Sequence, residues 1–339
     1  MGAAAYHRLG KYRQMRKRPV RDEPARFARE IGTIMAPLTR RILPWKLRSR
    51  TLELGRRTMV IGVVNITPDS FSDGFPLVSE ESVAHAIKLI EEGADILDLG
   101  AESTRPGSRA GGPDAAVSAA EEQARLLPVL EGILKRLPGA VVSVDTYKAE
   151  TARAALKAGA QIVNDVSGFT WDSAIADVCA EFQAGVVLSH TRGRPDEWRA
   201  QPQLEPNALL ATVREGLAAS LAAAERAGNS PDAIVLDPGY GFGKRFDENY
   251  VLLARQAELL TLGQPLLAGL SRKSFLGHTL APLFGGELAP TGARENASLA
   301  AMTAAILHGA SIVRVHAVRA AVEAARITDV ILEKSLTAE

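Results

Sequence analysis

Asn65 ends an apolar run, Val60-Ile61-Gly62-Val63-Val64, and is followed by a polar segment, Ile66-Thr67-Pro68-Asp69-Ser70-Phe71-Ser72-Asp73-Gly74. A strand buried on both faces has no structural need for a terminal amide, so Asn65 reads as a group with work to do at the strand's end. The pattern recurs. Short Val/Ile/Leu runs stop at Asp98, Asp145, Asn164 with Asp165, His190, Asp237, Lys273, and Arg314 with His316. The cationic and imidazole members, Lys273, Arg314 and His316, suit phosphate oxygens. The amide oxygen of Asn65 is a hard ligand suited to Mg²⁺, which keeps several waters and bridges substrate phosphates. Asp145, Asn164 and Asp237 offer acceptors to a flat heterocycle rich in N–H donors. Together they predict a bipolar site, with a diphosphate at one wall and an amino-substituted heterocycle at the other.

The elements that must position these residues follow from the same runs. Eight lie near 59–65, 95–100, 141–146, 161–165, 185–190, 233–237, 265–271 and 311–316. Between them lie stretches of helical spacing, such as Leu126, Val129, Leu130 and Ile133. Continuous apolar strands that alternate with helices indicate a parallel sheet covered by helices, and eight such units fit a (β/α)₈ TIM barrel. A repeat supports this: Gly93-Ala94-Asp95-Ile96-Leu97-Asp98, Gly159-Ala160-Gln161-Ile162-Val163-Asn164 and Gly309-Ala310-Ser311-Ile312-Val313-Arg314 are one helix-to-strand unit used three times. Each Gly is expected to end a helix in the left-handed region. In a barrel the C-terminal strand ends and the loops after them form the active site, so the polar ends are expected to converge on one mouth. Two long loops, 66–79 and 101–113, read as lids.

Charge divides the chain differently. Residues 1–50 carry 14 Lys/Arg against 3 Asp/Glu, a net of +11, and the remainder a net of −10, within a total of +1. This predicts a basic N-terminal extension, 1–50, and a barrel, 51–339. The extension reads as a solvated or partly helical arm against the acidic body. A nucleic-acid or anionic-surface contact and an organelle transit peptide are the other readings of such an arm. The single Cys179 excludes a disulfide framework and a multi-cysteine metal site, and its helical spacing places it in the core. No apolar run is long enough for a membrane span. The expectation is a cytoplasmic chain without membrane or nucleic-acid partners. Asp237-Pro238-Gly239-Tyr240-Gly241-Phe242-Gly243-Lys244 is not a P-loop: the spacing fails and Arg245 stands where Ser/Thr is needed.

Seven pieces in order carry a family resemblance: 65–74, Gly100-Ala101-Glu102-Ser103-Thr104-Arg105-Pro106-Gly107, Val144-Asp145-Thr146, Asn164-Asp165-Val166-Ser167-Gly168, 237–244, Gly269-Leu270-Ser271-Arg272-Lys273-Ser274 and Arg314-Val315-His316. Over about 58–335 the chain resembles the dihydropteroate synthases, pterin-binding barrels of folate biosynthesis and targets of sulfonamides. The resemblance implies a transferase that condenses (7,8-dihydropterin-6-yl)methyl diphosphate with 4-aminobenzoate and releases diphosphate, by a carbocation-like displacement. It implies that Asp145, Asn164, Asp237 and Lys273 hold the pterin. Asn65, Thr104, Arg105, Arg314 and His316 would hold the diphosphate, with Mg²⁺ on Asn65. Pro106, Phe242, Ser271 and Lys273 would shape the 4-aminobenzoate slot. The catalytic set is then Asn65, Asp145, Asp237, Lys273, Arg314 and His316, in an enzyme expected to be a homodimer.

The chain departs from the family pattern at Ser189, where Met is common beside the His, and at Ala317, where Asp is common after the Val-His pair. His190 reads as a hydrogen-bonded structural residue. Two other readings remain. One is a methyl-transferring pterin barrel, which would not need Thr104-Arg105-Pro106-Gly107 in this form; the other is a paralogue that binds pterin without turnover.

Overall fold

The computed structural model describes residues 40–66, 75–105, 107–112 and 117–336. The chain divides into two units, Met1–Pro37 and Leu38–Glu339, and the described residues belong to the second. Pro106, most of the first loop and the arm up to residue 39 lie outside the described residues.

Among the described residues there are ten strands: β1 (Leu43–Lys46), β2 (Thr51–Leu54), β3 (Met59–Asn65), β4 (Ile96–Gly100), β5 (Val142–Asp145), β6 (Ile162–Asp165), β7 (Gly185–Ser189), β8 (Ile234–Asp237), β9 (Leu266–Ala268) and β10 (Ala310–Val315). β3 to β10 form a closed parallel barrel, and β10 pairs with β3 to seal it. The helices are α1 (Phe75–Glu91), α2 (Ala119–Arg136), α3 (Ala149–Lys157), α4 (Ala174–Glu181), α5 (Pro206–Arg226), α6 (Phe246–Ala254), α7 (Ser274–Thr279), α8 (Glu295–Leu307) and α9 (Val318–Leu336). The (β/α)₈ reading is therefore correct. The predicted helix ends hold as well: Gly93, Gly159 and Gly309 have φ of +105°, +111° and +94°, where a side chain would be strained.

Helix faces explain the outer layer. On α2, Leu126, Val129, Leu130 and Ile133 are buried against the barrel, and Ser118 caps the first turn by accepting the Glu121 N–H at 3.2 Å. Cys179 is buried on α4, where burial pushes its thiol up, as an inert core residue.

Side-chain alternation explains the inner layer. Ile61, Ile96, Val141, Ile162, Val187, Val235, Leu267 and Ile312 make one apolar cluster inside the barrel. Counting two residues onward on each strand reaches Val63, Asp98, Ser143, Asn164, Ser189, Asp237, Gly269 and Arg314. The polar residues are thus placed by parity above an apolar floor.

The floor is closed from below by β1 and β2, an antiparallel hairpin that the strand count had not included. Trp45, Leu47 and Leu54 join the interior cluster, and the Trp45 indole N–H donates to the Ala233 carbonyl at 2.9 Å. Burying an indole with its N–H satisfied is strongly favourable. The boundary read from charge at residue 50 falls in the turn between β1 and β2, so residues 40–50 are part of the barrel unit. Their basic groups are engaged. Arg40 donates to Thr58 at 2.8 Å and pairs with Asp329; Arg48 donates to the carbonyls of Leu156 and Ala160; Lys46 pairs with Asp232 at 2.6 Å.

Candidate active site

Parity splits the polar strand ends. Asp98, Asp145, Asn164, Asp237 and Arg314 share the interior face, and Asn65 is exposed at the rim above them. Asp165 and His190 point outward, so not every polar end joins the mouth. Asp165 accepts from the N–H groups of Ser167 and Phe169 and from the Ser167 hydroxyl, which fixes the turn after β6. His190 is buried against Gly216 of α5; its backbone N–H donates to the Asp237 carbonyl at 3.0 Å, and its Nδ1 has no protein partner.

The centre of the mouth is a network the sequence reading did not foresee. Arg314 Nε donates to Asp98 Oδ2 at 2.5 Å, and Nη2 donates to Asp145 Oδ2 at 2.6 Å. The Asn164 amide donates to the same Asp98 oxygen at 3.0 Å. Arg314 and Asp145 are therefore in contact, where the sequence placed them on opposite walls. Asp98, named only as a strand end, is the hub, and its side chain is 1% exposed. Its signal was its parity with Asn65, two positions beyond the apolar Ile96. A buried carboxylate of this kind is tolerable only with such partners. Burial pushes Asp145 up from the ordinary carboxylate range, and Arg314 opposes this. Arg314 itself is raised by Asp98 and Asp145 in spite of its own burial.

Beside this network stand Asp237 and Lys273. Asp237 Oδ1 accepts the Gly239 N–H at 2.7 Å; burial raises its carboxyl, and the Gly239 bond and Lys273 pull it down. Lys273 leaves the turn after β9, a strand that ends at Ala268, earlier than the apolar run suggested. Its ammonium lies 3.7 Å from the centre of the Phe242 ring, a cation–π contact. Burial lowers its pKa to about 8, against the pull of Asp237.

The Phe242 ring is held from its other neighbours. Trp198 stacks on it with centroids 5.0 Å apart, and the Trp198 indole donates to Thr191 at 3.0 Å and to the Gly193 carbonyl at 3.1 Å. Lys244, the false P-loop lysine, is buried and donates to the carbonyls of His190, Gly239 and Phe242 at 3.0, 2.8 and 3.2 Å. Burial pulls it well below the lysine range, and its three acceptors require all three N–H bonds of the ammonium form. Asn249 completes the clamp by accepting from Gly241 N–H at 2.7 Å and donating to the Arg245 carbonyl at 2.8 Å.

His316 is supported by Ser271. Ser271 Oγ accepts the His316 backbone N–H at 3.2 Å and lies 2.9 Å from Nδ1. With the ring hydrogen on Nε2 the hydroxyl donates to Nδ1, and in the other tautomer Nδ1–H donates to the hydroxyl oxygen. The support that Ala317 does not supply comes from this serine. Burial, Arg314 and Arg272 lower His316 to about 3, which keeps its ring neutral. Ser189 is buried at the end of β7, in register with Asp237.

Thr104 is partly exposed and Arg105 exposed on the loop after β4, and Pro106 lies outside the described residues. Among the described residues, no group of three His, Cys, Asp or Glu side chains could hold a metal on protein ligands alone. Asn65 contributes one hard oxygen, a donor set that fits an ion such as Mg²⁺ which brings its own waters and takes substrate phosphates.

A closed barrel whose mouth holds three carboxylates, two amides, two cations and an imidazole can take a nitrogen heterocycle rich in N–H donors beside an anionic group. Known proteins share this arrangement of sequence and fold. The family described as "Pterin binding enzyme" matches residues 61–316. A dihydropteroate synthase from Mycobacterium leprae is 43% identical over 271 residues, which is 79% of this chain and 91% of that one. The structure of a dihydropteroate synthase from Xanthomonas albilineans with 4-aminobenzoic acid matches with a TM-score of 0.74 at 38% identity, over 88% of this chain and 100% of that one. Another structure of a dihydropteroate synthase from that organism, in complex with 7,8-dihydropteroate, matches with a TM-score of 0.71 at 36% identity, over 87% and 99% of the two chains.

Proposed function

The chain belongs to the pterin-binding enzyme family, and from that premise we propose how its mouth carries out dihydropteroate synthesis. It is a transferase that joins the methylene of a dihydropterin diphosphate to the amine of 4-aminobenzoate and releases diphosphate. The observation that carries this reading is the interior cluster of Asp98, Asp145, Asn164 and Asp237, bridged by Arg314 and flanked by Lys273 on Phe242.

The pterin edge carries N–H donors that pair with Asp145, Asn164 and Asp237. Arg314 occupies Asp145 Oδ2 and leaves Oδ1 for the ring. The diphosphate lies toward Asn65, Thr104, Arg105 and His316. Asn65 would hold Mg²⁺, which when bound would supply charge neutralisation to the leaving group. As the C–O bond to diphosphate lengthens, positive charge develops on the methylene and spreads into the ring. The carboxylates of Asp145 and Asp237 are already placed to stabilise it, which favours a dissociative route. The 4-aminobenzoate stacks in the slot of Phe242 and Lys273, where the ammonium faces its carboxylate. Its amine is unprotonated at neutral pH, so the attack needs no strong general base, and the proton that the nitrogen sheds once the C–N bond has formed passes to the released diphosphate or to water.

The enzyme works as a homodimer in this reading. α9 leaves Ile327, Val330 and Ile331 exposed at 66%, 52% and 52%, an apolar stripe at helical spacing that a second copy would cover. No helix among the described residues is long and apolar enough to cross a membrane.

The test is turnover. Purified protein with the pterin diphosphate, 4-aminobenzoate and Mg²⁺ should yield dihydropteroate and one equivalent of diphosphate. Binding of both substrates without product would leave a pterin-binding paralogue instead.

A further inference from the structure

A second charged cluster lies outside the mouth. Lys148 precedes α3 and donates to Glu102, at the start of the loop after β4, and to Glu122 Oε2 of α2 at 3.1 Å. The three side chains are 12%, 5% and 1% exposed. The same Glu122 oxygen accepts the Thr151 hydroxyl at 2.8 Å, and the Lys148 ammonium sits 4.5 Å from the centre of the Tyr147 ring. Two carboxylates share one ammonium, and Oε1 of each carboxylate is buried without a partner. For stability alone, an apolar packing of this volume would serve as well or better.

Its place in the chain suggests another role. Glu102 stands two residues before Thr104 and three before Arg105, and Lys148 stands three residues after Asp145. One side chain therefore ties the loop of the proposed diphosphate ligands to the strand end of the proposed ring ligand. The rest of that loop is seated too. Arg125 donates to the Ala101 carbonyl at 3.2 Å, and Gly107 N–H to the Pro195 carbonyl at 2.9 Å. Gly111, with φ +76°, lies so close to Trp171 that a Cβ would fall 2.4 Å from the ring, and Trp171 meets Tyr147 edge-on at 5.1 Å.

We propose that Lys148, through Glu102, is the positioning residue that sets Thr104 and Arg105 at the right distance from Asp145 for one substrate to span both. It touches no substrate itself. The proposal rests on the reading that this loop takes the diphosphate. Because an error of about 1 Å in such placement can cost about 100-fold, the strut acts on the diphosphate end selectively.

The experiment compares two affinities by calorimetry in the full chain, for the pterin diphosphate with Mg²⁺ and for the same pterin carrying a free hydroxymethyl group. Lys148→Met and Glu102→Gln should each weaken the diphosphate ligand about 10- to 100-fold and change the hydroxymethyl ligand less than about twofold. Lys148→Arg should recover most of the loss. A role confined to holding α2 against α3 would lower the melting temperature and leave the ratio of the two affinities unchanged, which overturns the proposal. If Lys148→Met does not fold, Glu102→Gln decides, since it keeps the Lys148–Glu122 pair. Turnover of the parent protein is measured alongside. Its absence would count against the function, and the binding ratio would still decide the strut.

Discussion

Lys273 is predicted to weaken the fold that it serves. Its pKa falls from 10.5 to about 8 because burial disfavours the ammonium more than Asp237 restores it. At neutral pH a shift of that size is a folding cost of about 3 kcal/mol. The cation–π contact with Phe242, 3.7 Å from the ring centre, returns about 0.5–1 kcal/mol, and residual contact with water reduces the cost further. Lys273→Met keeps the length and the apolar stem and removes the charge, so we expect it to stabilise the protein by about 1–2 kcal/mol. For a chain of this size that is a rise in Tm of about 2–4 °C.

The sign fixes the pH window. The folded state releases the Lys273 proton near pH 8 and the unfolded chain near 10.5. Between these values the unfolded state binds more protons, so the parent gains stability as pH rises. The advantage of Lys273→Met is therefore full below about pH 8 and gone above about 10.5. Thermal melts of both proteins at pH 7 and near the upper limit measure it. Turnover should fall about 10²- to 10³-fold, as when one preorganised electrostatic group is lost. A lower Tm for Lys273→Met at pH 7, or a Tm difference independent of pH, would refute the argument that burial strains this lysine for function.

Asp98→Asn removes the charge at the hub and leaves Arg314 with Asp145 alone; with charge-assisted bonds worth about 1.5–3 kcal/mol, Tm should drop and pterin affinity fall about 10- to 100-fold. Titration of the pterin by calorimetry checks it, and unchanged affinity would remove Asp98 from the site's support. Asp237→Asn should weaken pterin binding by the same range, and no change would place Asp237 outside the pocket. Trp198→Leu removes the stack beneath Phe242, worth about 0.5–1.5 kcal/mol, so KM for 4-aminobenzoate should rise about 2- to 10-fold while KM for the pterin holds. In the parent, KM for 4-aminobenzoate should rise as pH passes about 8 and Lys273 loses its charge; a flat profile to pH 9 would exclude that role.

Much of this was legible because a barrel strand obeys a period of two. The apolar runs gave the eight strands, and the glycines at 93, 159 and 309 gave the helix ends. What the runs could not convey was depth and reach. Asp98 and Asn65 share the interior face, but only the register shows Asp98 beside Ser143 and within reach of a strand-end arginine two strands away. Closure sets β10 next to β3, so the long guanidinium of Arg314 reaches past β3 to Asp98 on β4 and Asp145 on β5, and residues far apart in sequence become partners in the fold. Asp165 and His190 were misplaced for the complementary reason. The chain turns after the last interior residue, and the next polar group faces the helices.

The hairpin of β1 and β2 was hidden by charge. Lys46 points outward to pair with Asp232, Arg40 just before the hairpin is buried against Asp329, and Trp45 and Leu47 point in. A net charge counted over fifty residues averages over that alternation, whereas a count by parity would have separated the two faces. The supports of the site were hidden by a different property of sequence. Lys148 to Glu102, Trp198 to Phe242 and Ser271 to His316 are contacts between residues far apart in the chain, and a motif that names one partner does not show that the two touch. Chemistry restricts the residue that touches a substrate to a few types, and so leaves a mark in the sequence. Positioning can be done by any pair that fits, so its mark is geometric. This is why the candidate ligands could be named from strand ends, while the groups that aim them emerged only with the fold.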